Sequence, residues 1–191
     1  MPQSLTRPVL DATALHTSSA LQQGTFTKAF SNAALHWILH NPETRSSVFP
    51  AVHASLQPGG TFTFEMGGLG NVAEMRSTIL LAVSRRVGLD RALASDPWFF
   101  PDEDWARTEM ERAGFRVDRV EREWRPTTAD KGGVEGWVRL MGKQMLEAVE
   151  DEIEREEVVK EVAGVLREVC KMPNGGEMIS YVRLRCQGTK L

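Results

Sequence analysis

"TFTFEMGGLGNVAEM", residues 61–75, passes from an alternating run through a glycine cluster into helical spacing. A strand, a tight turn and a helix in that order is how a phosphate-binding turn reads. Gly68, Gly70 and Ala73 fit G-x-G-x-x-A, and Asp90 lies downstream at about the separation of a ribose-binding acid. That fingerprint needs its acid at the end of the next strand. "TILLAVSRRVGLDRAL", residues 78–93, is instead periodic as a helix, so the glycines serve a turn and no NAD or FAD site is expected.

Upstream, "FTKAFS" at 26–31 is a short β-prone run, and apolar spacing of three and four predicts an amphipathic helix from about Pro42. "QPGG" at 57–60 reads as a turn, and "TFTFEM" as a second strand. Downstream, the pattern is helical from Asn71 to about Leu93, with Val72, Met75, Ile79, Val83 and Val87 in one row. "PDEDWARTEMERAG" is a short helix between Pro101 and Gly114, and "FRVDRVEREW" alternates as a strand. Residues 133–148 and 150–170 read as helices, the second with Val149, Ile153, Val158, Val162, Val165 and Val169 on one side. "MPNGGEM" is a turn, and "ISYVRLRC" is a terminal strand expected to pair with "FRVDRVEREW". The order is βαβα, a strand, helices and a strand, which predicts an α/β sheet with an antiparallel C-terminal edge.

The 191 residues, 41% hydrophobic, suit a single domain spanning 1–191. With 23 basic against 26 acidic residues, a net charge of −3 and no basic run, no nucleic-acid partner is expected. No apolar run approaches the roughly 18 residues of a membrane span, so no membrane partner is expected. Cys170 and Cys186 form no C-x-x-C and read as reduced thiols of an intracellular protein. The expected location is cytoplasmic. The serine- and threonine-rich opening has a mild transit-peptide character, and the closing "TKL" departs from the peroxisomal S-K-L by Thr189.

"AFSNAALHWI" at 29–38, followed by a helix and "LQPGGTFTFEM" at 56–66, carries a family resemblance. Ser31, Asn32, Ala33, Leu35 and Trp37 match F-S/A-N-A-x-L-x-W, and Leu56, Pro58, Gly59 and Gly60 match L-K/N-P-G-G. The chain resembles the second half of the class I S-adenosylmethionine-dependent methyltransferases, closest to the trans-aconitate and malonyl-acyl-carrier-protein O-methyltransferase group. The "GVEGWVRLM" helix and "NGGEMISYVRLR" also resemble this family's helical cap and last strand. The resemblance implies an incomplete Rossmann-like sheet, taken from the strand order 3-2-1-4-5-7-6, with cap helices within about 95–172. It also implies a truncated chain: no D-x-G-x-G turn precedes the first strand, and residues 1–22 are expected to be a loosely held remnant.

By the same resemblance, Asp11 and Ala12 of "VLDATAL" match the adenine-side pair, and Ser31, Asn32 and Ala33 lie at the methyl donor, S-adenosylmethionine. Asn32 could otherwise simply satisfy the turn after its strand. His36 and Trp37 are expected to line the methyl-transfer site, or else to be two half-buried residues at a helix start. The His36 and His40 pair has a metal-ligand spacing, but Pro42 and the lack of a third ligand leave no metal expected. Trp98, Phe99, Phe100 and Trp105 either roof a substrate pocket or pack helices on the sheet. The resemblance puts Gly68, Gly70, Trp137 and Arg139 on the substrate side.

The implied acceptor is a small-molecule carboxylate. With a pKa of about 4 it is already ionised at neutral pH, so transfer needs alignment and desolvation more than a base. Arg76 or Arg139 is expected to clamp its spare oxygen. Without the glycine-rich turn, donor binding is expected to be weak; the alternative is a non-catalytic methyltransferase-like interaction module, and the exposed sheet edge is a candidate surface for self-association.

Overall fold

The computed structural model describes residues 10–191. After a 3-10 turn, Ala12–Thr17, come β1 (Phe26–Asn32), α1 (Leu35–Ile38), α2 (Pro42–Ser55), β2 (Leu56–Gly67), α3 (Ala73–Val87), α4 (Leu89–Ala94) and α5 (Glu103–Arg112). β3 (Phe115–Thr128), α6 (Gly133–Met141), α7 (Lys143–Leu146), α8 (Glu152–Val169) and β4 (Met178–Lys190) complete the chain. The sheet order is β1-β2-β4-β3, which corresponds to 4-5-7-6 of the order implied by the resemblance.

β1 and β2 are parallel, with Ser31 opposite Phe64 and Asn32 opposite Glu65. β4 runs antiparallel to β2: Lys190 Nζ donates to Leu56 O near the start of β2 (2.7 Å), and Gly68 N donates to Val182 O just past its end (3.0 Å). It is also antiparallel to β3, with Thr189 on Asp118 at one end and Ala129 N on Glu177 O at the other. The antiparallel C-terminal edge is therefore present.

The chain divides into two compact units whose limits fall inside β2, β3 and β4. The first comprises Met1–Met66, Glu103–Glu121 and Arg185–Leu191. Its core follows the period-two pattern of β2, in which Phe62, Phe64 and Met66 are buried on one face. Phe49 of α2 meets Phe62, Phe64 and Trp105 edge-on at 6.1, 5.8 and 5.8 Å. The second unit comprises Gly67–Asp102 and Arg122–Leu184. Its core joins Val72, Met75, Ile79 and Val83 to Val134 and Val138 of α6 and Val158, Val162 and Leu166 of α8.

Four expectations are corrected. "QPGG" lies inside β2 rather than before it, but the pairing with β1 jumps from Phe26↔Leu56 to Lys28↔Thr61, so the proline and glycines form a wide irregularity in the strand. The long helix ends at Val87, because Gly88 at φ 85° caps it and α4 starts anew. The helix over 133–148 is broken at Gly142, where a Cβ would lie 2.7 Å from Val138 O. In α8 the expected row is split: Ile153, Val165 and Val169 are exposed, while Val158, Val159, Val162, Ala163 and Leu166 are buried. Apolar residues occur on two faces of that helix, and spacing alone does not say which one packs.

Candidate functional site

The turn after β1 is the most constrained stretch of the first unit. Ala33 takes a left-handed φ of 54°, and its N–H donates to Glu65 O at 2.8 Å. A side-chain-bearing residue held there costs about 1–3 kcal/mol, and such strain gathers at ligand sites. The turn also lies at the carboxyl end of a parallel strand, where open α/β sheets bind ligands.

Helical spacing in α1 turns Leu35 and Ile38 to one side, away from His36 and Trp37. Across from them, Asp11 caps the 3-10 turn, accepting from Thr13 N at 2.9 Å and Thr13 Oγ1 at 2.8 Å. Those bonds, the backbone one first, hold the Asp11 carboxyl below its ordinary range. Gln22 Nε2 ties the segment to α2 by donating to Ala51 O (3.1 Å) and Leu15 O (3.3 Å). Together these elements line an open cleft of about 390 Å³, walled by Leu15, Leu35, Ile38, Val48 and Val52 and edged by Ala12, Ser31 and Asn32.

Three residues expected at the methyl donor, Ala12, Ser31 and Asn32, thus come together from segments twenty residues apart, with Asp11 and Ala33 beside them in the chain. His36 and Trp37 do not line this cleft: His36 is 5% exposed, with its ring 5.6 Å from that of Trp37. Leu35 and Ile38 hold the wall instead. Their three-residue spacing was the available signal, whereas the motif drew attention to His36 and Trp37. α1 ends at Ile38, so His40 is not on the helix that carries His36.

In the second unit the glycine turn is closed on itself. Gly68 N donates to Val182 O, Leu69 N to Pro101 O, Asn71 N to Gly68 O and Val72 N to Ser180 O, all within 2.8–3.0 Å. Asn71 Oδ1 and Glu74 Oε1 accept from Val182 N (2.9 Å) and Ser180 N (2.7 Å). Gly70, at φ 90°, makes the bend. These amides are committed to the protein and do not form a cradle for a diphosphate, and Asp90 lies in α4 rather than at a strand end.

The remaining expected substrate residues are dispersed within this unit. Arg76 Nε is bonded to buried Asp96 at 2.5 Å and lies over Phe100. Arg139 is held by Glu156 and Glu135, which push its pKa further up. Trp137 donates from Nε1 to Tyr181 Oη at 2.6 Å and lines a separate cleft. Trp98 is buried against Phe100 and Trp137, and half-buried Trp105 meets Phe49 edge-on, which is the packing alternative for both. Among the described residues, no helix is long and apolar enough to cross a membrane.

No protein-family profile matches the chain. Over 135 residues it is 37% identical to an uncharacterized methyltransferase of Schizosaccharomyces pombe. That stretch is 69% of this chain and 50% of the yeast protein, so the chain spans about half the length of the relative it matches. Among solved structures, a candidate methyltransferase of Bacillus halodurans superposes with a TM-score of 0.50 at 13% identity, covering 94% of this chain and 69% of that one. A SAM-dependent methyltransferase of Methanosarcina mazei gives 0.50 at 12% identity, covering 96% and 66%. The chain has the class I methyltransferase fold.

Proposed function

We propose that this chain acts in S-adenosylmethionine-dependent methyl transfer and that the cleft at the end of β1 holds part of the methyl donor. One observation carries the reading: Ala12, Ser31 and Asn32, which the sequence motifs assign to the donor, edge the same cleft. The residues suit the group. Asn32 and Ser31 offer amide and hydroxyl bonds at the strand end, and the aliphatic wall excludes water from an adenine or ribose face.

When bound, S-adenosylmethionine supplies an electrophilic methyl group on a sulfonium. The chain's own part is to orient and to dry. The strained Ala33 turn, with the Ala33 N–H donating to Glu65 O, fixes Asn32 at the strand end, and Leu35 and Ile38 keep solvent from the polar edge. The resemblance supports carboxyl O-methylation of a small acid. Because Arg76 and Arg139 are held by carboxylates of the protein, either would have to exchange its partner to steady an acceptor carboxylate.

Ultraviolet cross-linking of methyl-tritiated S-adenosylmethionine to the protein, followed by peptide mapping, tests the reading. The expected result is saturable label within residues 10–17 or 29–38. Label confined to other peptides, or no saturable label, overturns it.

A further inference from the structure

The second unit contains a cleft of about 280 Å³ beside α6, and its chemistry differs from that of the donor cleft. Trp137, Leu140, Met141 and Ile179 give it apolar walls, and Tyr181 and Asp130 line it with polar groups. Its size falls just under the roughly 300–1,000 Å³ of drug-sized sites, so it suits a fragment-sized ligand.

Tyr181 and Asp130 each keep a hydrogen-bonding atom available here. Tyr181 Oη accepts the indole N–H of Trp137 at 2.6 Å, which orients the phenol and leaves its own proton without an acceptor among the described residues. Asp130 Oδ1 accepts from Gly132 N at 2.9 Å, and Oδ2 has no protein donor among the described residues. No lysine, arginine or histidine lines the cleft. A donor hydroxyl, a spare carboxylate oxygen and aromatic and aliphatic walls in one cleft describe a complementary molecule. It has an oxygen acceptor, a flat apolar body and a protonated amine.

We infer that this cleft is a binding site for a small aromatic amine and discriminates against carboxylates. The amine meets Asp130 in a charge-assisted bond, the ring lies against Trp137 and Met141, and the acceptor oxygen receives the Tyr181 proton. A carboxylate would instead face Asp130 with no cation to neutralise it. The inference does not rest on the donor reading, because every residue it uses belongs to the second unit.

Tyramine and 3-(4-hydroxyphenyl)propionate, which present the same phenol with opposite charges, are the probes. The readout is the indole N–H resonance of Trp137 in nitrogen-15-labelled protein, assigned by its disappearance in Trp137→Phe. Tyramine should shift it saturably, and the propionate should not. Asp130→Asn, which keeps the Oδ1 acceptor of the turn, should weaken tyramine at least fivefold, and Tyr181→Phe should weaken it as well. Gly136 lines the cleft, and a Cβ there meets nothing within 4 Å, so Gly136→Leu should block tyramine while leaving the thermal midpoint near that of the parent. Equal or tighter binding of the propionate, tyramine affinity unchanged in Asp130→Asn and Gly136→Leu, or no saturable shift with either probe overturns the inference.

Discussion

Asn32 ends β1 with an exposed side chain, so its removal should affect ligand more than fold. Asn32→Ala is expected to weaken donor cross-linking roughly tenfold, the equivalent of one good hydrogen bond to a polar ligand, with an unchanged thermal midpoint. A drop in midpoint with unchanged cross-linking would make Asn32 a turn residue only. Asn71 is the opposite case, since it is buried and its amide oxygen completes the β4 ladder at Val182 N. Asn71→Ala leaves that N–H without its acceptor and should cost about 1–3 kcal/mol in chemical denaturation. The two thiols give a pH test. Burial pushes Cys170 up to about 11 and Cys186 up to about 12, from an ordinary value of about 9. The unfolded chain therefore loses these protons first, and the stability they contribute, complete below pH 9, is lost as pH rises towards 11–12. Denaturant midpoints should fall across that window, and iodoacetamide at pH 8 should label both cysteines only after unfolding. Rapid labelling of native protein would contradict the burial argument.

At the scale of elements, local punctuation was legible and the choice between packing faces was not. Asp151 precedes α8 and accepts from Glu154 N at 2.9 Å, so Asp151→Ala should lower stability by about 0.5–2 kcal/mol without altering the cleft of the first unit. Calorimetric melting of the variant checks this; an unchanged midpoint would mean that the helix is held by packing alone. Gly114 and Gly175 mark their turns as read, because each supplies a positive φ that other residues resist. Gly88 was visible as a glycine, yet a helical row running through it obscured the break. In α8 the exposed Val165 and Val169 and the buried Val162 and Leu166 satisfy the same spacing, and only the neighbours Val138 and Ile79 decide which face is inside. The cleft at the end of β1 was half legible for a similar reason: a motif marks Ser31 and Asn32, but Leu15, Val48 and Val52 are ordinary aliphatics until the chain brings them together. Tyr181, the sole tyrosine, carried no motif, and its pairing with Trp137 forty-four residues away has no local signal.

For the molecule as a whole, the sheet order leaves β1 at an edge, and on its outer side it pairs with no strand among the described residues. Phe26 and Phe30, 43% and 72% exposed, alternate there with Lys28. A bare edge with aromatic side chains invites another strand, and a second copy of β1 is complementary to it. Antiparallel pairing centred on Ala29 sets Lys28 of one copy opposite Phe30 of the other, twice over, a cation–aromatic pairing at cross-strand distance. The 191-residue chain is therefore expected to self-associate, with a weight-average mass in sedimentation velocity that rises with concentration. Phe30→Lys puts like charges opposite each other in that register, and because Phe30 projects outward the change should leave the monomer folded. The variant should stay monomeric where the parent associates, and raising the salt should partly restore its association by screening the introduced repulsion. A parent that remains monomeric at high concentration, or a Phe30→Lys chain that associates just as strongly at low salt, would show that β1 is not the associating edge.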